Sequence, residues 1–299
     1  MKRNFIKIFI FVTLLAASVL GVMLGSASLR EQARQTWLDQ ANRSVSRTTD
    51  VGVFWLSLFH AQLRGIGTLF YGSSQVNESE LFEALEVTES IEGAIPLRTV
   101  AFVEFVGRDQ LVVTLSTDMN GLLAEGSDLA TQSAIQNVVK LALEQPDNVL
   151  MSPVFWDSEG QAKTVLAFAV PNGDVDGVLL TPVDLTAMIK GLYALHIPKG
   201  IHLRLQEQGI SSAQKSVFFV GDATPSLGAV HTFEIFTESG HAQWKFYWDV
   251  LPEFRDGAAT KFADVVQYSG FAVVGLAFGM IGLLFMQNAR VNRRVDRRT

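Results

Sequence analysis

Two long apolar runs stand out from the pattern of hydrophobic and polar positions along the chain. Residues 8–29 and 265–286 contain no charged side chain, and charged residues bound the two runs. A helix rises about 1.5 Å per residue, so each run forms a helix of about 33 Å, enough to cross a bilayer core of about 30 Å. The pattern therefore predicts two transmembrane helices, the first within residues 1–29 and the second over residues 265–287.

The charges that flank the two runs predict the orientation of the chain. Basic residues precede the first run, at Lys2, Arg3 and Lys7, and five arginines follow the second run. Basic residues beside a span stay in the cytoplasm. We therefore expect a two-pass protein of the bacterial inner (plasma) membrane, with both termini cytoplasmic and residues 30–264 in the periplasm.

The first run has a second interpretation. The small residues Ser26-Ala27-Ser28 are typical of a signal-peptide cleavage site, so residues 1–29 are either an anchor or a cleaved signal. The apolar part of a signal peptide is usually about 7–15 residues, and the longer run here favours the anchor.

A long helix is predicted directly after the first span. Apolar residues recur over residues 30–70 at steps of mostly three and four, the period of a helix, and we interpret this segment as a periplasmic stalk. The spans carry glycines four residues apart, Gly21 with Gly25 and Gly275 with Gly279, a spacing that lets helix backbones approach closely in lipid. The expected partners are membrane lipid and a second copy of the chain, paired through the stalk and the transmembrane helices.

Residues 71–195 are predicted to form a first, membrane-distal lobe. Short apolar segments between turn residues predict strands, and segments of helical period predict helices. Strands are expected at 98–106, 111–117, 149–156, 163–170 and 177–183, and helices at about 78–91, 128–144 and 184–193. This order predicts a PAS-like, five-stranded antiparallel sheet with helices on one face.

Residues 196–264 are predicted to form a second, membrane-proximal PAS-like lobe. Its strands are expected at 201–207, 216–220, 230–237 and 242–250. In the last of them Trp244, Phe246 and Trp248 alternate, which places the three rings on one face, towards the core. The fold class is therefore α+β: a long stalk helix and two antiparallel-sheet lobes, flanked by two transmembrane helices.

The end of the second lobe is the expected route to the membrane. Trp244 and Trp248 lie in the strand that leads into the second span, and Gly275 and Gly279 lie in the span itself. We expect these four residues to couple the lobe to the membrane helix. Residues 288–299 are expected to begin a cytoplasmic signalling coiled coil.

The polar residues show no catalytic or metal-binding pattern. The five histidines lack the spacing of metal ligands, and no phosphate-binding glycine loop or nucleophile motif is present. The chain is formally −6 although both ends are basic, so the exported part is acidic and a poor candidate for nucleic acid. We expect no enzyme activity, no cofactor, no metal site and no nucleic-acid partner.

A PAS-like sheet that faces a helix can enclose a small-ligand pocket. The expected partner is therefore a small molecule or peptide in the periplasm. Strand alternation in the first lobe gives the candidate ligand-binding residues Phe102, Glu104, Thr114, Ser116, Ser152, Trp156 and Phe168.

Three segments of the chain carry a family likeness. They are Leu63–Phe82, Gly126-Ser127-Asp128-Leu129 followed by Ala142 and Ser152-Pro153-Val154, and Gly177–Val183. In order and spacing they resemble the CHASE domain, an extracellular sensory module of bacterial histidine kinases, nucleotide and diguanylate cyclases and plant cytokinin receptors. The resemblance covers roughly residues 60–190 and departs from the family pattern at Glu104–Gly107.

The resemblance implies a ligand-sensing domain of a signal-transduction receptor, with a histidine kinase or cyclase output absent from this chain. Two alternatives stay open. A double Cache domain has the same plan, and Asp157–Gly160 with Val183-Asp184-Leu185 is similar to its pattern, which implies a Cache-type chemoreceptor sensor. The other alternative is a periplasmic protein-interaction scaffold without a small-molecule pocket.

Overall fold

The computed structural model describes residues 2–73, 75–89, 97–106, 110–119, 121–157, 159–172, 175–208, 215–219, 228–239 and 242–295. The helices are α1 (Lys2–Gly72), α2 (Glu78–Glu89), α3 (Ser133–Glu144), α4 (Leu185–Leu195) and α5 (Lys261–Val295). The strands are β1 (Ala101–Val106), β2 (Gln110–Ser116), β3 (Leu150–Met151), β4 (Phe155–Trp156), β5 (Ala162–Asn172), β6 (Val175–Asp184), β7 (Ile201–Gln208), β8 (Lys215–Phe219), β9 (His231–Ser239) and β10 (Ala242–Val250). The predicted α+β class, with a long N-terminal helix and two antiparallel sheets, is confirmed.

The chain forms two compact units. The helical unit comprises Met1–Ala41 and Arg255–Thr299, and the sheet unit comprises Asn42–Phe254. The two predicted lobes, 71–195 and 196–264, thus fall mainly within one unit, and their boundaries stay predictions.

The helical unit pairs the start of α1 with α5. The ring of Phe11 lies edge-on to that of Phe278, with 5.1 Å between centroids, and Gly270 lies against Val22. Both helices are long and apolar enough to cross a membrane, and their apolar stretches are exposed along the helix surface. This is the surface that lipid chains cover in a membrane protein.

The four glycines singled out in the spans take no part in this pairing. A Cβ atom added at Gly21, Gly25, Gly275 or Gly279 would meet no atom of the described chain within 4 Å. The glycine faces are therefore open in a single copy of the chain.

The sheet unit contains two sheets, and each strand pairing in its described part is antiparallel. The first sheet has the strand order β2-β1-β6-β5-β3, with β4 also paired to β5. The second sheet has the order β8-β7-β10-β9.

Both faces of the first sheet are covered, which corrects the prediction of helices on one face. On one face α3 packs against an aliphatic core that includes Val103, Val165 and Ala167. On the other face the 42–72 part of α1 packs against Phe102 and Phe168. β5 is buried at each position from Thr164 to Val170, so neither of its faces can be left in water.

Two further elements differ from the sequence-based expectation. The strand predicted over 149–156 is split into β3 and β4, and Pro153, which has no N–H to donate to the sheet, lies between them. The helix predicted from residue 128 begins at Ser133, because Asp128 bridges to Val112 and its carboxylate accepts a bond from Ala130 N–H.

The second sheet has one aromatic face, as predicted. Trp244, Phe246 and Trp248 are all buried, and the rings of Phe246 and Trp248 are stacked. This face turns towards α1 within the sheet unit, because Trp248 bonds to that helix.

Candidate functional site

Helix α1 contacts both sheets of the sheet unit. At the second sheet the indole N–H of Trp248 donates to the hydroxyl of Thr49 at 3.0 Å. The hydroxyl of Thr48 donates to the carbonyl of His196 at 3.2 Å, just after α4. Thr48 and Thr49 are both buried, so these bonds fix the helix to the second sheet and to α4 in a water-poor environment.

The same helix meets the first sheet through apolar and aromatic contacts. The rings of Phe70 and Phe102 stack with 5.4 Å between centroids. Gly67 lies under the ring of Phe168, where a Cβ atom would be only 2.6 Å from the ring edge. The guanidinium of Arg64 also lies over the ring of Phe168, 5.9 Å from its centroid, and donates to the carbonyl of Asp147 at 2.8 Å.

A groove of about 310 Å³ opens where α1 ends, at the edge of the first sheet. β3 pairs with β5 only at Leu166 and Ala167, so the edge of β5 beyond them is left without this neighbour. We call this the distal groove; its lining residues are Tyr71, Leu143, Pro146, Ala169, Val170, Pro171, Asp176 and Gly177.

The chemistry of the distal groove is apolar with a few polar groups. Asp176 is the one charged side chain in its lining, and the hydroxyl of Tyr71 donates to the carbonyl of Ala169 at 3.3 Å. Apolar walls with one or two placed polar groups are the usual composition of a small-ligand site. The carboxylate and the aromatic ring suit a small neutral or cationic molecule.

Two polar side chains, Gln62 and His60, lie in the part of α1 between its contacts at Thr49 and Gly67. Gln62 is 5% exposed, and neither atom of its amide has a hydrogen-bond partner among the described residues. His60 is partly buried, and its Nε2 likewise has no partner there. Burial, assisted by the positive charge of Arg64, lowers the pKa of His60 from 6.5 to about 4. His60 is therefore neutral at pH 7.

Sequence reasoning did not identify Gln62 as a buried amide without a described partner, or Gly67 as the position that contacts the Phe168 ring. Gln62 has the spacing of the apolar positions around it, so the pattern alone does not mark it as an unpaired buried amide. The one available signal was the presence of an amide in an otherwise apolar stripe, since a buried amide without a partner costs free energy.

The seven predicted ligand-binding residues are not brought together in one cavity. Phe102 and Phe168 are buried against α1, and Glu104 follows on the same face of β1 and is half-buried. None of the seven lines the distal groove.

The other four lie in different surroundings. Ser152 is fully buried and its hydroxyl accepts from Val165 N–H at 2.9 Å, while Ser116 accepts from Asp118 N–H at 2.8 Å. Thr114 lies at an irregularity in the β1–β2 pairing, and Trp156 is 52% exposed. A ligand-binding role for the seven residues stays a prediction.

The second sheet carries a charged network on the face opposite its aromatic residues. The carboxylate of Asp249, 4% exposed, accepts two bonds from Arg204, at 2.7 and 2.9 Å, and one from Thr232 at 2.7 Å. Burial raises the pKa of Tyr193, whose hydroxyl accepts from Leu203 N–H. The hydrogen bond to Glu234 raises the pKa of Lys245. The charged side chains of this network are paired with one another, so we interpret the network as structural.

No protein-family model and no curated protein matches the chain. Solved structures that are similar to it include ligand-binding sensory domains of chemoreceptors. The sensory domain of Campylobacter jejuni Tlp3 is 13% identical, with 76% of this chain and 97% of that chain covered and a TM-score of 0.46. The ligand-binding domain of Pseudomonas aeruginosa PctB, in complex with L-Arg, is 12% identical, with 71% and 94% covered and a TM-score of 0.47.

A third structure is the ligand-binding domain of Pseudomonas aeruginosa PctC in complex with GABA. It is 15% identical, with 68% of this chain and 98% of that chain covered and a TM-score of 0.39. The three are chemoreceptor domains, the class named by the Cache alternative, and none of the comparisons shows the CHASE family. With TM-scores below 0.5 they assign no family, so the choice between CHASE and Cache stays a prediction.

Proposed function

We propose that the chain is the ligand-sensing, membrane-anchored part of a signal-transduction receptor. In this proposal the sheet unit binds a small molecule in the periplasm, and the second apolar helix relays the binding event to an output in the cytoplasm. The CHASE resemblance favours a histidine kinase or a nucleotide or diguanylate cyclase as that output.

One observation carries the proposal: a single helix, α1, contains an apolar stretch long enough to cross a membrane and also contacts both sheets. β10, which contains Trp248, is joined to α5 by about ten residues. Both sheets are therefore connected, through the chain itself, to helices of membrane-spanning length. A ligand that favours one arrangement of these elements over another can alter the output.

The distal groove is the proposed ligand site. It is formed by the end of α1, by the end of α3 and by β5 and β6, so a molecule bound there touches the shared helix directly at Tyr71. The proposed ligand is a small neutral or cationic molecule, because Asp176 supplies the one charge of the lining.

The proposed receptor is a homodimer in the bacterial inner membrane, with both ends of the chain cytoplasmic. The open glycine faces of the two spans support this arrangement, since small residues are the usual contact points between helices in lipid. Gly275 and Gly279 would then meet their copies in the second subunit.

A second candidate function is a periplasmic interaction scaffold. The space between α3 and the first sheet is filled by tightly buried aliphatic side chains, which favours a solid lobe without an internal ligand. Under this alternative the distal groove would bind no small molecule.

The experiment is a thermal-shift screen of the full chain in detergent, with a panel of amino acids, amines and carboxylic acids. A ligand that binds only the folded state raises the unfolding temperature. We expect a stabilising compound to lose its effect on Leu143→Trp, which fills the groove, and to keep it on Leu195→Trp, a residue that is 72% exposed elsewhere. A panel without such a compound, or one whose effect survives Leu143→Trp, would contradict the proposed site.

A further inference from the structure

A second groove, of about 370 Å³, opens in the helical unit beside the two apolar helices. One wall is formed by α1, and the other by the segment that leads into α5 together with the first turn of that helix. We call it the interfacial groove; its lining residues are Leu29, Gln32, Ala33, Thr36, Trp37, Gln40, Arg255, Gly257, Ala259, Phe262 and Ala263.

The groove lies just outside the two apolar runs. Leu29 is the last residue of the first run, and Ala263 precedes the second run by two residues. From Leu29 the α1 wall continues to Gln40, which is about 16 Å further along the helix axis. In a membrane the lower end of the groove therefore lies at the level of the lipid headgroups.

The lining changes character along this direction. Near the runs it is mostly apolar, with Leu29, Ala33, Phe262 and Ala263, and Gln32 is the polar residue at this end. At the far end Arg255 is the one charged side chain of the lining, and its Nη1 donates to Gln40 at 3.1 Å. The lining is thus mostly apolar on the membrane side and carries a cationic side chain on the water side.

The two charged residues beside the apolar end of the groove, Arg30 and Asp264, pair with each other and leave that end without a net charge. Arg30 donates to Asp264 at 2.8 Å and also bonds to Gln267, so its charge is neutralised locally. An apolar wall with a guanidinium beyond it matches a phospholipid, whose acyl chain is apolar and whose phosphate accepts hydrogen bonds from arginine.

The backbone around Arg255 holds it in an uncommon conformation. Arg255 and Asp256 have φ values of 51° and 60°, and Gly257 follows at 82°. Non-glycine residues at positive φ cost free energy and cluster at functional sites. The left-handed turn is the feature that brings Arg255 to the end of the groove opposite the apolar runs.

Two exposed aromatic side chains favour a bilayer lipid over a water-soluble ligand. Phe262, in the lining, is 67% exposed, and Tyr268, near the start of the second run, is 73% exposed. Tyrosine is enriched at the membrane surface, and an exposed phenylalanine beside it adds apolar surface for a lipid chain. We infer that the interfacial groove binds one phospholipid of the surrounding bilayer, with its phosphate at Arg255 and an acyl chain against Leu29, Ala33 and Phe262.

Trp37 provides a direct probe of this inference. It lines the groove, is 6% exposed, and lies eight residues beyond Leu29, about 12 Å along the helix. Bromine atoms midway along the acyl chains of an undisturbed bilayer are out of its reach. They quench Trp37 only if a lipid chain is drawn up into the groove.

The experiment places the full chain in nanodiscs of phosphatidylcholine and phosphatidylglycerol with acyl-brominated chains. The fluorescence contribution of Trp37 is the difference between the emission of the natural protein and that of Trp37→Phe. We expect this contribution to be quenched by brominated lipid and unaffected by acrylamide in the water. Ala33→Leu, which fills the groove, should abolish the quenching, and Ala61→Leu, at an exposed position of the same helix, should leave it unchanged.

Arg255 is tested by lipid titration. Arg255→Gln should weaken the apparent affinity for phosphatidylglycerol, read from the quenching of Trp37, about tenfold, as expected for loss of one charge-assisted hydrogen bond. Arg255→Lys should retain most of this affinity. Absence of brominated-lipid quenching, or equal quenching in Ala33→Leu, would overturn the inference. Quenching of Trp37 by acrylamide in place of lipid would also overturn it, because the groove would then hold water.

Discussion

The two sheets of the sheet unit contact the same helix in different ways. At the first sheet, α1 presents Gly67 and Phe70 to the rings of Phe168 and Phe102, so the contact depends on the fit of apolar surfaces. At the second sheet, Thr49 accepts a hydrogen bond from the indole of Trp248. The first contact depends mainly on steric fit, with a hydrogen bond from Tyr71 to Ala169 at the end of the helix, and the second includes a hydrogen bond between two buried side chains.

This difference bears on how a signal could move through the molecule. Close apolar contacts lose much of their dispersion attraction when even a small gap opens, and a hydrogen bond weakens steeply when its geometry changes. Helix α1 is therefore held at both sheets, mainly by steric fit at the first and by a directional bond at the second. The first sheet is also where the distal groove lies, with Tyr71 of α1 in its lining.

The largest effect is expected from breaking the fit at the first sheet. Gly67→Val places a branched side chain where the Phe168 ring lies, and overpacking of this kind costs about 1–3 kcal/mol of unfolding free energy. The same change at Gly65, whose added Cβ would meet nothing in the described chain, should cost little. Thermal unfolding of both variants in detergent, followed by circular dichroism, measures the difference.

Partial rescue sharpens this prediction. Phe168→Leu removes the ring edge, so Gly67→Val combined with Phe168→Leu should be more stable than Gly67→Val alone if the two side chains interact as described. Equal destabilisation by the changes at Gly65 and Gly67 would show that the fit at Phe168 is unimportant.

A smaller effect is expected from breaking the directional contact at the second sheet. Thr49→Val keeps the shape of the side chain but leaves the Trp248 N–H without this acceptor, at a cost of about 1–2 kcal/mol. The indole resonance of Trp248 in a ¹⁵N NMR spectrum should shift as well. Thr68→Val is the matched control, because Thr68 is exposed and bonds only within its own helix. An unshifted indole resonance would refute this contact.

The smallest effect concerns pH. The folded state lowers the pKa of His60 from 6.5 to about 4, so between these values the unfolded chain binds more protons. Stability should therefore fall as the pH decreases from about 6.5 to about 4, by about 1 kcal/mol after allowance for partial solvent screening. His60→Gln should flatten this part of the profile of unfolding temperature against pH. A slope that is unchanged in His60→Gln would assign the pH dependence to other groups.

The arrangement of helices and sheets follows from signals that are local in the sequence. The uncharged runs, the helical period after the first run and the alternation of Trp244, Phe246 and Trp248 each depend on residues close together in the chain. The two-faced burial of β5 was also present in the sequence, as an apolar run without polar alternation, but a single covered face was expected.

The candidate site was less accessible to such reasoning. The distal groove exists because β3 is only two residues long and begins beside Ala167, so among the described residues no strand pairs with this edge of β5 next to the ends of α1 and α3. That juxtaposition joins residues about 70 to 100 positions apart. Strand alternation identified inward-facing residues such as Phe102 and Phe168, but it could not show that α1 fills the space in front of them.

The central claim, a sensor that relays across a membrane, requires the sheet unit and the basic C-terminal end to lie on opposite sides of that membrane. The chain has no cysteine, so single cysteines can be introduced without background. Met119→Cys, at a position that is 75% exposed in the sheet unit, and Asn292→Cys, after the second apolar run, are treated with an impermeant maleimide in spheroplasts. We predict labelling of Met119→Cys in intact spheroplasts and of Asn292→Cys only after lysis. Labelling of both variants before lysis, or of Met119→Cys only after it, would contradict the account.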